Sequence, residues 1–243
     1  MRPLSPIRIV PLHTEALAPV ATARLTYRGG PLITAVEVFD IFWGDAWTAE
    51  PQATLMQRLN DFFDYVVTSP LIDQLSEYDV RDYTIGHGKR VGEIVLTAAP
   101  PANVSDAAVR ALLKDQIASN PAFVQPSPNT LYFVFLPPGV TSQLQGSSSC
   151  VNFCGYHDND GGMYYAVMPF PDCDGCLASR AQFDALTTTS SHELCEALTD
   201  PIPGQGWYDD SNGEIGDICA WQTKQIDGYT VQLEWSNTQR KCV

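Results

Sequence analysis

The sequence has few basic residues. Lysine and arginine together number 14, against 28 aspartates and glutamates, so the net charge is −14 at pH 7. Binding to nucleic acid depends on lysine and arginine side chains that neutralise phosphates. The same deficit disfavours contact with anionic membrane surfaces. We therefore expect a chain that binds neither nucleic acid nor membrane.

Long apolar segments are also missing. No hydrophobic run approaches the roughly 20 residues that a membrane-spanning helix requires. The first segment, "MRPLSPIRIVPLHTEALAPV", contains basic residues but is interrupted by prolines. It lacks the continuous apolar centre of a secretory leader. This end of the chain therefore predicts a cytoplasmic protein, or one from which a leader has been removed.

Cysteine is absent from residues 1–149, and all seven cysteines follow. Spacing along the chain predicts three disulfides and one unpaired thiol: Cys150–Cys154, Cys173–Cys176, Cys219–Cys242 and free Cys195. The first four cysteines form two close pairs, so a structural zinc site there is the alternative. Disulfides are favoured, which indicates an oxidising compartment and disagrees with the missing leader. Secretion is the favoured localisation, but the two signals leave it open.

Hydrophobic periodicity predicts a mixed α/β fold. Residues 1–30 are expected to form an irregular arm, and 31–243 a single domain. Alternating or continuous apolar segments predict strands, and apolar residues at helical spacing predict helices. We expect strands at 32–43, 91–98, 130–137, 163–169 and 229–237, and helices at 51–69, from Ser105 onwards and at 178–198. The segment "GSSSCVNFCGYHDNDGG" is expected to be a polar loop.

The third helix carries the motif "SSHELCEALTDP". His192 and Glu196 are one turn apart, about 40° on a helical wheel, so both can bind one ion. Glu193 lies beside them and can contact a metal-bound water as general base, as in the H-E-x-x-H motif. Zinc is the expected ion, and a carboxylate ligand also permits calcium or manganese. The alternative is an ordinary amphipathic helix with a solvated acidic face.

A third ligand is expected in "GEIGD", beyond a glycine-rich turn that could fold back over the helix. Asp217 is the first choice, with Glu214 or His157 as substitutes. Asp200 is a poor candidate, because eight helical residues separate it from His192 by about 12 Å. The acidic segment could also be a plain turn or a calcium loop, although it lacks the full EF-hand spacing.

These motifs together resemble the EXORDIUM, or phosphate-induced protein, family of plants and its bacterial and fungal relatives. The resemblance rests on "VFDIFWGDAW", "FCGYH", "YYAVMP", "SSHELCEALTDP", "GWYDDSNGEIGDIC" and the final "KCV". It covers about 32–243 and is strongest at 153–219. The family has a similar H-E-x-x-E motif followed by E-I-x-D. It often has Asn-Pro at Asp200-Pro201, which also argues against Asp200 as a ligand.

The resemblance implies a secreted protein linked to growth and cell-wall responses. A wider similarity to zincin metallopeptidases implies a single zincin-like domain with a mixed sheet. In it, the strand at 163–169 would be an edge strand over the metal-site helix, where it could align a peptide substrate. The implied function is zinc-dependent hydrolysis of peptide bonds. The alternative is a non-catalytic secreted or cell-surface protein with a structural metal, contacting cell-wall carbohydrate through Trp207 and Tyr208.

Overall fold

A six-stranded mixed sheet forms the centre of the computed structural model, which describes residues 9–13 and 23–243. Its strand order is β1-β9-β10-β6-β3-β4. The strands of the chain are β1 (Ile9–Pro11), β2 (Thr26–Tyr27), β3 (Ala35–Trp43), β4 (Gly86–Leu96), β5 (Asn103–Ser105), β6 (Thr130–Phe135), β7 (Thr141–Leu144), β8 (Ser147–Ser148), β9 (Phe153–Asp160), β10 (Met163–Met168), β11 (Trp207–Tyr208), β12 (Thr223–Ile226), β13 (Tyr229–Gln232), β14 (Trp235–Ser236) and β15 (Lys241–Cys242). Strands β4, β3, β6 and β10 are parallel, and β9 runs antiparallel to β10 and β1. The predicted α/β fold class is confirmed.

Helices cover both faces of this sheet. They are α1 (Gln52–Val66), α2 (Pro70–Asp73), α3 (Asp106–Ser119), α4 (Asp174–Leu177) and α5 (Gln182–Thr199), with short 3₁₀ helices at Asp45–Thr48, Gln74–Tyr78 and Asp217–Cys219. Helices α1 and α5 pack on one face, and α3 packs on the other. Ser105 Oγ accepts a hydrogen bond from the Ala108 N–H at 3.2 Å, which confirms the predicted cap of α3. The result is a three-layer core.

Helix α5 is buried on all sides. Every residue from Ala185 to Thr199 is buried. On the side away from the sheet, the β12–β13 hairpin covers the helix. Thr187 Oγ1 donates to the Thr230 carbonyl at 2.8 Å, and the Gln232 N–H donates to Ser191 Oγ at 2.9 Å. The expectation of a solvated acidic face on this helix is therefore wrong, because a second layer closes over it.

The predicted position of the 163–169 strand is wrong. Strand β10 is not at an edge, because it pairs with β6 on one side and with β9 on the other. Strand β9 lies within the segment expected to be a polar loop. Its residues from Phe153 to His157 are buried despite their mixed polarity. The polar residues of this segment gave no strand pattern in the sequence. Because β9 lies beside β10, the edge strand on this side of the sheet is β1.

Three disulfides and one buried free thiol account for all seven cysteines: Cys150–Cys173, Cys154–Cys176, Cys219–Cys242 and free Cys195. The C-terminal pair and the free thiol are as predicted. The predicted pairs Cys150–Cys154 and Cys173–Cys176 are wrong, because each cysteine of the first pair is bonded to a cysteine of the second. The alternative of a structural zinc site is wrong for the same reason, since all four sulfurs are in disulfides. Each bridge joins residues 22 or 23 apart. Such a set of disulfides indicates an oxidising environment.

The segment expected to be an N-terminal arm is described only in part. Residues 1–8 and 14–22 lie outside the described residues. Of the remainder, Ile9–Pro11 pairs with β9 in the main sheet, and Thr26–Tyr27 pairs with Trp207–Tyr208.

Within residues 9–13 and 23–243, no helix combines the length and apolar character needed to cross a membrane.

Candidate functional site

Helix α5 carries three of the candidate residues within two turns. His192 Nε2 lies 3.0 Å from Glu196 Oε1, and Glu193 projects from the same region of the helix. All three side chains are 0% exposed. Residues four apart on a helix are neighbours on its surface, which explains the close contact between the imidazole and the carboxylate.

The segment "GEIGD" folds back over this helix, as the sequence suggested. The Asp217 N–H donates to Glu196 Oε1 at 3.0 Å. Potential ligand atoms of His192, Glu196 and Asp217 all lie within 4.8 Å of one another. Asp217 is only partly buried, so the group of three potential ligands reaches the protein surface at Asp217.

A glycine allows the close approach of this segment. A Cβ added to Gly216 would lie 2.8 Å from His192 Nδ1 and 3.0 Å from Glu196 Oε1. Cβ atoms in proteins almost never come so close to other heavy atoms, so a larger residue would displace the segment. The glycine in "EIGD" therefore sets the distance between Asp217 and the helix.

His157 enters the cluster from β9. Its Nδ1 lies 2.9 Å from Glu193 Oε2, and its Nε2 lies 3.2 Å from the Asp200 carbonyl oxygen. Both ring nitrogens therefore face acceptors, which fits a doubly protonated imidazolium. Burial lowers the pKa of His157, but the hydrogen bond and charge of Glu193 and the charge of Glu196 outweigh burial and raise it to about 9.

His157 also belongs to a second group of potential ligands. Its ligand atom lies within 4.8 Å of those of Glu196 and Glu214, so Glu196 is common to both groups. In single contacts, His157 Nε2 is 3.6 Å from Glu214 Oε1, and its Nδ1 is 3.6 Å from Glu196 Oε2. The structure thus brings together every residue that the sequence analysis proposed as ligand, substitute ligand or base.

Asp200 lies outside both groups, as expected. It accepts hydrogen bonds from the backbone N–H groups of Gly204, Gln205 and Gly206 at 2.5–3.0 Å. Asp200 follows the last residue of α5, and its carboxylate holds the loop that leaves the helix. Its carbonyl oxygen contacts His157, and its carboxylate charge acts on the cluster by raising the pKa of His157 and of Glu214.

The buried carboxyl groups differ in the direction of their pKa shifts, because their surroundings differ. Burial raises the pKa of Glu193, and burial together with the nearby Glu196 and Asp200 raises the pKa of Glu214. Burial also acts on Glu196, but His192, His157 and the Asp217 N–H outweigh it and lower the pKa of Glu196. Glu196 is therefore the anion at the centre of the cluster, while Glu214 favours its protonated form.

Orphaned buried atoms fit a cation at this centre. Glu196 Oε2 has no hydrogen-bond partner among the described residues, and His192 Nε2 has only the 3.0 Å contact with Glu196 Oε1. One imidazole nitrogen and carboxylate oxygens from Glu196 and Asp217 form a donor set that zinc accepts. Calcium and manganese accept the oxygen donors as well.

Gln232 contacts the other side of the His192 ring. Its amide nitrogen donates to the Gly216 carbonyl at 2.9 Å and lies 2.8 Å from His192 Nδ1, while its Oε1 accepts from the Trp221 N–H at 3.1 Å. These two backbone groups fix the orientation of the amide. A donor at Nδ1 places the proton of a neutral ring on Nε2, facing Glu196.

This orientation of Gln232 constrains cation binding at His192. Burial lowers the pKa of His192, but the charge and hydrogen bond of Glu196 outweigh burial and raise the pKa well above its usual value. The amide donor at Nδ1 opposes this rise, because it occupies the nitrogen that a second ring proton would need. We therefore assign the neutral form with the proton on Nε2. Binding through Nε2 requires that proton to move to Nδ1 and the Gln232 amide to turn. Glu196 and Asp217 need no such change.

Sequence reasoning missed Gln232 and the pairing of His157 with Glu193. Residues 229–237 were expected to form a half-exposed strand with alternating polar and apolar residues. In the structure Thr230, Val231 and Gln232 are all buried, because β13 packs against α5. The alternation of polar and apolar residues correctly indicated a strand with two different faces. Its polar face includes Gln232, which contacts His192.

Comparisons with protein-family models and with curated proteins find no relative. No protein-family model matches the chain. A search of curated proteins also finds no match. The resemblance to EXORDIUM proteins and to zincins therefore stays an expectation from the motifs.

Proposed function

We propose that this protein binds a divalent cation, zinc by preference, through His192, Glu196 and Asp217, and hydrolyses peptide bonds with it. The observation that carries the proposal is the convergence of these three side chains beside Glu193 in one cluster. Three protein ligands with a further position left for water or substrate are typical of catalytic zinc. The motif H-E-x-x-E supplies two of the ligands and the base from one helix.

The residues divide into distinct roles under this proposal. A bound cation supplies Lewis-acid activation of water and of the peptide carbonyl. Glu193 accepts the proton of the attacking water, and burial raises its pKa toward the range that suits a base at neutral pH. His157 orients the Glu193 carboxylate through its 2.9 Å contact. The partly exposed Asp217 marks the side from which a substrate approaches.

The substitution Glu193→Gln tests this assignment. The amide keeps the shape of the side chain but cannot accept the proton, so we expect hydrolysis of internally quenched peptides to fall by about 10²-fold or more. Zinc content, measured on the same samples by elemental analysis, is expected to stay unchanged. Glu50→Gln, the same change at an exposed position, is the matched control and keeps full activity. Full activity of Glu193→Gln would exclude it as the base.

A non-catalytic metal site is the second candidate. The complete burial of His192, Glu193 and Glu196 favours it, since a structural ion needs no access for substrate. In this case the ion ties α5 to the "GEIGD" segment in a secreted or cell-surface protein that contacts carbohydrate. The three disulfides support secretion.

Metal removal separates the two candidates. A structural ion predicts that a chelator lowers the melting temperature, while zinc-loaded protein cleaves none of the peptides. A catalytic ion predicts peptide cleavage that the chelator abolishes and added zinc restores. Protein that binds no divalent cation, measured by calorimetric titration after chelation, would contradict both candidates.

A further inference from the structure

A second concave region lies apart from the buried cluster. It is a cavity of about 880 Å³ between β2, β11 and the β14–β15 hairpin. Three aromatic side chains, Tyr27, Trp207 and Trp235, and two arginines, Arg24 and Arg240, contribute to its wall. Cavities of this size take ligands as large as drug molecules.

The aromatic wall is held in place by hydrogen bonds. Trp207 Nε1 donates to the Tyr78 carbonyl at 2.7 Å, and Trp235 Nε1 donates to Asn237 Oδ1 at 3.1 Å. The rings of Tyr27 and Trp207 lie 5.7 Å apart between centroids. Because both indole N–H groups already have partners, the wall offers ring surface more than hydrogen bonds. Such a surface suits the flat or apolar face of a ring.

The charge of the cavity is opposite to that of the molecule. The net charge of the chain is −14, yet the described residues of the cavity wall include two arginines and no carboxylate. The side chains of Arg24 and Arg240 belong to exposed residues, so they can reach a ligand from the rim. The guanidinium group matches a carboxylate with two parallel hydrogen bonds.

The backbone at Arg240 is in a conformation that arginine rarely adopts. Its φ is 54°, in the left-handed region that glycine and asparagine prefer. The turn is held there by the Arg240 N–H, which donates to the Ser236 carbonyl at 2.7 Å. Arg240 therefore lies in the tight turn that joins β14 to β15, at the rim of the cavity.

We propose that this cavity binds a ring that carries a carboxylate. The aromatic wall contacts the ring, and Arg24 and Arg240 pair with the carboxylate. Two sources share this chemistry, namely the acidic sugar of a polysaccharide and a small aromatic acid. The proposal is independent of the metal centre, because none of the candidate metal ligands lines the cavity.

Paired probes test the site and separate the two sources. Trigalacturonate and indole-3-carboxylate are titrated into the full chain by calorimetry, each beside a neutral counterpart, a galactose trimer and indole-3-carboxamide. We expect one of the acids to bind at least tenfold more tightly than its neutral counterpart, and the acid that does so identifies the source. Equal binding within both pairs, or no binding of either acid up to 1 mM (about −4 kcal/mol), would overturn the proposal.

Arginine variants locate the binding. Arg24→Gln and Arg240→Gly are each expected to weaken binding of the acid about tenfold, and glycine suits the backbone at position 240. Arg81→Gln removes an exposed arginine that does not line the cavity and is expected to change nothing. Unchanged affinity in both cavity variants, with unchanged melting temperatures, would overturn the proposal. All titrations are repeated with a chelator, so that failure of the metal proposal leaves this result intact.

Discussion

At the scale of single residues, the contact between His157 and Glu193 determines how the cluster responds to pH. Both side chains are buried, and His157 is held as an imidazolium by acceptors on both ring nitrogens. Buried charges are stable only while they are paired. The imidazolium therefore offsets part of the negative charge that Glu193 and Glu196 bring into the core.

This contact predicts lower stability at alkaline pH. The pKa of His157 is about 9 in the folded chain and about 6.5 when unfolded, so its stabilisation is complete below pH 6.5 and is lost as pH rises through 9. In chelated protein we expect the free energy of unfolding to fall by about 3 kcal/mol over that range. Urea unfolding at a series of pH values measures it. In His157→Gln this part of the pH dependence should disappear, and an unchanged slope would contradict the assignment.

Gln232 acts through its two backbone contacts and its contact with His192. Gln232→Ala leaves the Gly216 carbonyl and the Trp221 N–H without their side-chain partner in a buried region. An unsatisfied buried polar group costs about 1–3 kcal/mol, so denaturant unfolding should show a loss of at least that size. Gln239→Ala, at an exposed glutamine in the turn between β14 and β15, is the control and should change stability by less than about 0.5 kcal/mol. Equal losses of stability in the two variants would contradict this structural role of Gln232.

At the scale of elements, the close contact of the "GEIGD" segment with α5 predicts the effect of filling Gly216. In Gly216→Ala the new methyl group meets His192 and Glu196, which forces the segment outward. We expect a loss of about 1–3 kcal/mol in stability. We also expect at least tenfold weaker zinc binding by calorimetry, since Asp217 moves with the segment.

Gly86→Ala is the matched control for this change. Its added Cβ would come no closer than 3.8 Å to the Thr34 carbonyl oxygen, an ordinary contact. Stability and zinc affinity should stay near those of the unchanged protein. If Gly216→Ala also leaves stability and zinc affinity unchanged, neither property depends on the close contact between the segment and α5.

The elements also explain how much could be predicted from the sequence. Local signals were sufficient for α3, where Ser105 and the apolar residues behind it define both the cap and the buried face. They were insufficient for β9, because its buried residues include Gly155 and His157, which interrupt the apolar pattern of a buried strand. They located α5 but did not indicate that its polar face meets other polar groups inside the fold. Amphipathic spacing reports two faces but not what covers the second one.

The candidate site was predictable to the same extent. The His192–Glu196 pair follows from helical spacing alone, and the glycines of "GEIGD" indicated that Asp217 could fold back. The pairing of His157 with Glu193 depends on how β9 registers beside β10, which is a non-local property. Disulfide connectivity is non-local in the same way, since four cysteines allow three pairings.

At the scale of the whole molecule, the disulfides predict the reactivity of the thiols. Cys195 is 0% exposed, and burial together with the nearby Glu234 raises the pKa of its thiol, so it should not react in the folded protein. Ellman's reagent is expected to find no thiol in native protein and one after denaturation without reductant. Reduction before denaturation provides the control, with seven thiols. Three thiols in the unreduced sample would mean that one disulfide is absent.

The Cys219–Cys242 bridge joins two regions that the chain order keeps apart. Cys219 ends the 3₁₀ turn that begins at Asp217, and Cys242 lies two residues after Arg240. Trp235 adds a non-covalent link, since its N–H donates to the Ile215 carbonyl at 3.2 Å. These ties connect the "GEIGD" segment, which covers the candidate site, to the rim of the aromatic cavity. We therefore expect local opening to expose the two regions together, and not one after the other.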